Sequence, residues 1–488
     1  LDTVRTDQER AYAVIEAISL IHETDSVADG ISLPRYPATE TVQRACGDAM
    51  NRAGIRPTDI DYLEVFGSGI PSEDNVELAG LLIAYGAEHS DKHHCALGSV
   101  KANIGHTFAA SGMASLIKTA LCLHHRYIPA TPNWSGPKAV AGWHVSNSPF
   151  YVPLQSCSWF SPESSDRIGQ SRRIAALNSL GSDGACGHII LSDAPKQKGY
   201  IHSYLTDTPP YLFLLSGDNQ DALLEQSVSL QRQVEACDSL LAVAHDRWQR
   251  YRSKSQVQYV LALVGANKES LIQEIQFMRQ SIGLAFKHGQ DWHTPSGSYF
   301  TAQPLGKQGA VSFVYPGAFN AYPGLGRELF HLFPELDDHF TKLAKDPGRV
   351  LGAKFLYPPS LEALSPQQVA TTAANLMSNA PQMIETGMSF ALLFTRVLQK
   401  YFQVQPQSAF GYSLGESAMM ISLGIWPVDP QQSLRLRASS LFKDRLSGAK
   451  NAVREYWGIP PVTTPTADEI WQIYILNAPV EAVNTAVN

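Results

Sequence analysis

No apolar run in this chain approaches the length of a membrane-spanning helix. The opening residues, Leu1-Asp2-Thr3-Val4-Arg5, lack the charged and apolar regions of a signal peptide. Neither a membrane span nor a signal peptide is expected, and the cysteine usage points to the cytoplasm. Met is also missing at the first position, so the chain is expected to be trimmed at its N-terminus. Cysteine is sparse. The six cysteines, at 46, 95, 122, 157, 186 and 237, never fall in Cys-x-x-Cys spacing. That argues against a zinc ribbon or a disulfide framework and reads as reduced, mostly buried thiols. Basic charge is short as well, with 38 Lys and Arg against 45 Asp and Glu and a net charge of −7. No basic stripe interleaves with aromatics, so a nucleic-acid partner is not expected. The pairs His93-His94 and His124-His125 are adjacent residues that point apart on a helix or strand, which makes poor metal chelates. Gly67-Ser68-Gly69 lacks the Gly-x-Gly-x-x-Gly spacing of a dinucleotide loop. Finally, no histidine follows His339.

What is present is a globular composition. The chain has 488 residues, 44% hydrophobic and 17% charged, enough for two to four domains with buried cores. Residues 1–195 alternate strands and helices, as an α/β fold does. Strands are expected at 12–15 and 61–66, helices at 39–53, 74–84 and 109–124, and a strand–turn–strand at 174–192. Residues 195–199 read as a linker. A smaller α/β unit follows, with strands at 211–216 and 258–264, amphipathic helices at 221–244 and 270–282, and a loop over 288–309. A third block opens on a strand at 311–315, then a helix at 326–332, a long helix at 381–401 and a strand at 471–476.

The most informative segment lies in that third block: Phe410-Gly411-Tyr412-Ser413-Leu414-Gly415-Glu416. A strand-like stretch at 408–410 precedes Ser413, and a helix-like stretch at 416–423, ending at Gly424, follows it. Glycines two residues away on each side let the backbone turn sharply and lift the Ser413 hydroxyl clear, as a nucleophile elbow requires. The helix N-terminus behind it offers free N–H groups to an acyl oxyanion.

These residues carry a family resemblance. "FVYPGAFNAYPGLGREL" at 313–329 and "GYSLGES" at 411–417 resemble the opening and nucleophile motifs of the acyltransferase domain of fatty acid and polyketide synthases. "YLEVFGSGIP" at 62–71, "SVKANIGHTFAASGMASLIK" at 99–118 and "ALNSLGSDGACGHIIL" at 176–191 resemble the C-terminal half of a β-ketoacyl synthase. The resemblance implies an α/β chain in three parts. These are a thiolase-like ketosynthase C-terminal half at 1–195, a small α/β linker domain at 196–308, and an α/β-hydrolase-like acyltransferase large subdomain at 309–488. The altered motifs resemble those of a PfaB-like subunit of a polyunsaturated fatty acid synthase, and heterocyst-glycolipid-type synthases look similar.

Site roles follow from the resemblance. Ser413 is the expected nucleophile, with the backbone N–H groups of Leu414 and Ala318 as oxyanion donors; the family has Gln where Ala318 stands. The family's base is a histidine C-terminal to the serine. His331 and His339 are expected to be surface residues, so either the C-terminal part of the domain, with the base, lies beyond residue 488, or the domain is inactive; the former is the expectation. Tyr412 replaces the family's histidine beside the serine and either reshapes the acyl pocket or is a packing change. Arg437 falls where malonyl-specific members bind a carboxylate, although a solvated arginine is the commoner case. Gln382 is expected to line the same pocket. In the ketosynthase part, Phe66 stands where the first catalytic histidine belongs and can neither donate a hydrogen bond nor carry charge. His106 and Lys101 survive as relics, Ser182 and Asp183 alter the glycine-rich gate, and no cysteine sits in an elbow-like context, so condensing activity is not expected. No bound cofactor is implied. The substrates are acyl-CoA and the phosphopantetheine arm of a carrier protein, and the partners are acyl carrier protein domains and other synthase subunits, with dimer pairing through the ketosynthase-like half. Two readings stand: an acyltransferase-bearing subunit, or a non-catalytic scaffold resembling a chain-length factor.

Overall fold

The computed structural model describes residues 10–22, 36–86, 93–137, 148–160, 172–194, 209–253, 257–306, 309–344, 346–429, 431–462 and 477–487. They form two compact units, one of Leu1–His202, Phe313–Gln405 and Ala409–Asn488, the other of Ser203–Ser312 with Pro406–Ser408. The linker expected at 195–199 and the strand expected at 471–476 lie outside the described residues.

The first unit is built on a six-stranded mixed sheet. Its strands are β1 (Ala13–His22), β2 (Tyr62–Glu64), β3 (Cys95–Gly98), β5 (Phe150–Tyr151), β7 (Ile174–Leu180) and β8 (Ala185–Asp193). They lie in the order β1-β8-β7-β2-β3-β5. β2 runs parallel to both β3 and β7, while β8 runs antiparallel to β7 and β1. A small antiparallel pair, β4 (Tyr127–Ile128) and β6 (Cys157–Ser158), stands apart. Helix α1 (Thr39–Ala53) buries Val42, Ala45, Cys46 and Ala49 at helical spacing and stops where Gly54 turns left-handed at φ 62°. Helix α2 (Pro71–Tyr85) packs on it so closely that a Cβ on Gly80 would stand 2.6 Å from the Val42 Cβ. The short α3 (Lys101–Ile104) and the longer α4 (Ser111–His125) follow β3. Beneath the sheet, the buried Glu64 carboxylate accepts from the Tyr62 hydroxyl at 2.6 Å and pairs with Lys118 at 2.9 Å.

Residues 313–405 pack against the surroundings of this sheet within the same unit, through Asp337, Asp338 and Leu361. The Asp337 carboxylate, nearly buried, accepts from Arg126 at 2.8 Å and Arg173 at 3.0 Å, and Arg126 also reaches Asp338 at 2.6 Å. The Trp134 indole donates to the Leu361 carbonyl at 2.7 Å.

The second unit is built on a four-stranded sheet. It comprises β9 (Tyr211–Gly217), β10 (Tyr259–Gly265), β11 (Asp291–His293) and β12 (Tyr299–Thr301), covered by α5 (Gln220–Ala236), α6 (Leu240–Ser253) and α7 (Lys268–His288). The strand order is β11-β12-β10-β9. Two expectations are corrected here. The single helix at 221–244 is two helices: Cys237 is extended, and the Ser239 hydroxyl accepts from the Ala242 N–H to start α6. The loop at 288–309 contains the β11–β12 hairpin, which turns Trp292 and Phe300 inward. Among the described residues no helix is long and apolar enough to cross a membrane.

Candidate functional site

Ser413 sits at a sharp turn between a strand and a helix. β13 (Ser312–Tyr315) and β14 (Ser408–Gly411) form a two-stranded sheet, and α9 (Leu414–Ser422) starts immediately after the serine. Ser413 has φ 56° and ψ −125°, a conformation that a side-chain-bearing residue rarely adopts. Such strain costs about 1–3 kcal/mol and persists only where the surroundings impose it. Here the flanking glycines impose it. A Cβ on Gly411 would lie 2.2 Å from the Gly415 carbonyl carbon, and one on Gly415 would lie 2.4 Å from the Tyr315 oxygen. Strand, turn and helix therefore meet backbone to backbone, and only glycine fits at either position.

The Ser413 side chain is exposed and does not cap its own helix. The amides of Leu414 and Ala318 have no acceptor among the described residues, so two unengaged donors stand near the elbow. Ala318 is half-buried, and the loop is fixed beside it by the Phe319 N–H, which points to the Met383 sulfur at 3.4 Å. Tyr412 is 86% exposed, so its ring packs against little. No histidine is within hydrogen-bond distance of the Ser413 hydroxyl among the described residues. His331 instead stacks on Tyr127 with ring centroids 4.4 Å apart and its Nδ1 lies 3.2 Å from Glu328. His339 is half-buried, and burial lowers its pKa.

Arg437 and Gln382 do meet. Arg437 lies on α10 (Gln432–Ala438) and donates to the Gln382 Oε1 at 2.7 Å; Gln382 lies on α8 (Ala380–Lys400). The same Arg437 nitrogen also pairs with the Glu385 carboxylate. Gln382 is buried, and its amide nitrogen donates to the Arg349 and Val350 carbonyls, so it is a structural strut as much as a wall. A cavity of about 310 Å³ opens between α8 and α9, with Leu414, Ser417 and Ile421 on one side and Ile384, Glu385 and Met388 on the other. Glu385 was not singled out from sequence. Its pairing with Arg437 spans 52 positions, and no local pattern announces it.

The second cluster is centred on Phe66. The Lys101 ammonium lies 3.9 Å from the Phe66 ring centroid and donates to the Phe66 carbonyl. His106, exposed, meets the same ring edge-on at 5.5 Å. Phe66, Lys101 and His106 are thus brought together around an apolar ring. The Glu77 carboxylate fixes the loop by accepting from the Phe66 and Gly67 amides at 2.8 Å each. Ser182 and Asp183 are exposed in the turn between β7 and β8, where Asp183 accepts from the Ala185 amide.

A third pairing looks catalytic and is not. The Cys46 sulfur lies 3.3 Å from His188 Nδ1, with the Tyr85 hydroxyl 3.1 Å from His188 Nε2. All three are fully buried. Burial pushes the thiol well above its usual range and lowers the imidazole to about 3, so the pair is neutral and sealed from substrate. None of the six cysteines is disulfide-bonded, and among the described residues no cluster of three His, Cys, Asp or Glu could hold a metal.

Residues 12–135, which contain β1 through β4 and the Phe66 cluster, match the family "Beta-ketoacyl synthase, C-terminal domain". The ketosynthase likeness extends to relatives. A polyunsaturated fatty acid synthase subunit from Thraustochytrium sp. is 26% identical over 526 residues, covering all of this chain and 24% of its own length. Polyketide synthase PksM from Bacillus subtilis is 31% identical over 242 residues, covering 49% of this chain and 6% of its own length. The chain therefore spans a quarter or less of these relatives. Among solved structures, the ketosynthase from module 6 of the bacillaene synthase from Bacillus subtilis 168 is 24% identical, with a TM-score of 0.35. That alignment covers 58% of this chain and 45% of the other.

Proposed function

We propose that this chain is part of a fatty acid or polyketide synthase subunit in which Ser413 transfers an acyl or malonyl group from coenzyme A to the phosphopantetheine thiol of an acyl carrier protein. The single observation that carries the reading is the exposed, strained Ser413 at the start of α9, locked by glycines that contact neighbouring backbone. In the first step the Ser413 oxygen attacks the thioester carbonyl, its proton passes to a base, and the coenzyme A thiol leaves. In the second the carrier thiol attacks the seryl ester and Ser413 regains its proton. The Leu414 and Ala318 amides would hold the oxyanion in both steps. The base implied by the resemblance, a histidine C-terminal to the serine, is not among residues 340–488, so the full-length protein is the one to assay. On this reading residues 1–195, 196–308 and 309–488 are a ketosynthase-like half, a linker domain and an α/β-hydrolase-like acyltransferase domain, working in the cytoplasm. Mass spectrometry after incubation with acyl-CoA tests it. An ester on Ser413 that is lost in Ser413→Ala and chased by added carrier protein is expected; no such adduct on the intact protein defeats the reading.

A second reading draws on Phe66. With a phenyl ring where enolate stabilisation needs a donor, the ketosynthase-like half would act as a scaffold that pairs with another synthase subunit. Co-purification with an intact ketosynthase would favour it, and it is compatible with transfer at Ser413.

A further inference from the structure

Phe319, in the loop that follows β13, holds a backbone conformation that its side chain opposes. Its φ is 68°, in the left-handed region that a bulky residue rarely enters. Its ring is 63% exposed, so the fold recovers little packing in return. Phe108 combines the same two features, but its ring leans on His106 with centroids 5.1 Å apart. Phe319 is set apart by where its loop lies. Two residues before it, a Cβ on Gly317 would stand 3.3 Å from the Tyr412 carbonyl oxygen and 3.9 Å from the Ser413 Cβ. One residue after it, Asn320 Oδ1 would meet a Cβ on Gly387 at 2.9 Å, and Leu414 Cδ2 would meet the same Cβ at 3.7 Å. The loop is thus tied to residues 412–414 on both sides of Phe319, whose own amide points to the Met383 sulfur at 3.4 Å.

We propose that the Phe319 ring is a specificity element of the Ser413 site and contacts the alkyl chain of the acyl group as it is loaded. The proposal rests on the transferase reading of Ser413. Strain held in an exposed residue points to a role outside the packing of the fold itself. Glycine adopts this φ freely, and the fold would lose little with the ring. On the transferase reading the Ala318 amide holds the oxyanion, so the next residue along the loop borders the reacting carbonyl. The ring is hydrocarbon throughout, with no donor or acceptor to offer the amides of a pantetheine arm. An alkyl chain has no such needs, and it gains by covering the ring and leaving water. Acetyl offers only a methyl group, whereas octanoyl offers a chain long enough to lie across the ring.

Acyl loading of the full-length protein tests this. Acetyl-CoA and octanoyl-CoA are supplied at equal concentration, and the esters on Ser413 are identified by mass spectrometry at early times. Wild type is expected to favour octanoyl by about tenfold or more. Phe319→Gly and Phe319→Ala are each expected to reduce octanoyl loading about tenfold and to leave acetyl loading unchanged, while Phe319→Leu retains most of the preference. Both substrates carry the same coenzyme A, so the ratio is blind to a general loss of folding or of coenzyme A binding. Urea unfolding supplies a second readout. Phe319→Gly should be at least as stable as wild type, and Phe319→Ala less stable than Phe319→Gly, since alanine keeps the strained backbone. A wild type without preference for octanoyl, equal losses for the two esters, or an unchanged ratio in the glycine and alanine variants overturns the inference and leaves the transferase reading intact. So does a glycine variant clearly less stable than wild type, which would make the ring a packing element. No ester on wild-type Ser413 from either thioester overturns the transferase reading itself and the inference with it.

Discussion

The Lys101 ammonium rests 3.9 Å from the centre of the Phe66 ring and donates to the carbonyl of the same residue. A cation over an aromatic face is worth about 0.5–2 kcal/mol, more as water is excluded. Burial lowers the Lys101 pKa, while the carboxylates of Glu77, Glu64 and Asp74 pull the other way. The lysine is therefore held by a ring that offers it electron density and no proton.

Replacing Phe66 with histidine would put a titratable ring against that cation. At this buried position, burial and the Lys101 charge both work against a second cation and oppose the pull of the Glu77 carboxylate on the Phe66 amide; where they win, the new imidazole's folded-state pKa falls below the unfolded value of about 6.5. A depressed folded pKa means stability that is complete above the unfolded pKa and is lost as pH falls. Phe66→His should therefore lose about 1 kcal/mol more, relative to wild type, near pH 5.5 than near pH 8. Urea unfolding at the two pH values measures it. An equal deficit at both would show that Lys101 does not govern this position.

The elbow glycines can be separated from ordinary turn glycines. A Cβ on Gly415 would strike the Tyr315 and Pro316 oxygens at 2.4 and 2.8 Å, whereas Gly424, at φ 73°, has open space around it. Gly424→Ala should cost about 1–2 kcal/mol for its left-handed backbone alone. Gly415→Ala should cost upwards of about 3 kcal/mol, because backbone has to move. Chemical denaturation compares them, and limited proteolysis should cut first around residues 411–415 in Gly415→Ala. Equal costs would mean that strand and helix do not meet at the distance described.

Asp337 and Asp338 are neighbours with unequal tasks. Asp337 compensates both Arg126 and Arg173 and is 10% exposed at its side chain; Asp338 meets Arg126 and is 24% exposed. Removing one partner of a buried ion pair costs about 3–5 kcal/mol, since the other charge is stranded. Arg126 keeps Asp338 and Arg173 keeps Asp193, so Asp337→Ala should fall at or below the low end of that range and Asp338→Ala well below it, read as shifts in the denaturation midpoint. Comparable losses would argue that the junction between the surroundings of the sheet and residues 313–405 is held by apolar contact alone.

How much of this could be read in advance depended on the range of the interaction. Helix α1 was readable to the residue, because its apolar spacing and Gly54 stop are local. The elbow was readable for the same reason: Gly411, Ser413 and Gly415 carry their geometry within five positions. The helix break at Cys237 was hidden because 221–244 is amphipathic throughout, and a single hydroxyl cap at Ser239 decides against continuity. The β11–β12 hairpin was hidden because each strand is three residues long and places one side chain inward. The Glu385–Arg437 pair depends on the packing of α8 and α10, which no pattern along either helix reports.

Long-range packing also sets the behaviour of His188, whose buried partners Cys46 and Asn178 come from α1 and β7. Burial lowers its imidazole to about 3, against about 6.5 in the unfolded chain. Between those values the unfolded state binds a proton that the folded state refuses, so stability rises with pH there and drains away on acidification. The contribution is complete above about pH 6.5 and falls by up to about 1.4 kcal/mol per pH unit below it. His188→Gln cannot take up that proton. It should be less stable than wild type near pH 7.5, where the lost packing and the Tyr85 contact show undiminished. Near pH 4.5 the gap should shrink by about 2 kcal/mol, as wild type alone suffers the acid penalty. Urea unfolding of both proteins across a buffer series gives the difference directly. A gap that stays constant from pH 7.5 to 4.5 would mean that His188 titrates as freely in the fold as outside it, and that the seal around Cys46 and His188 is open to water.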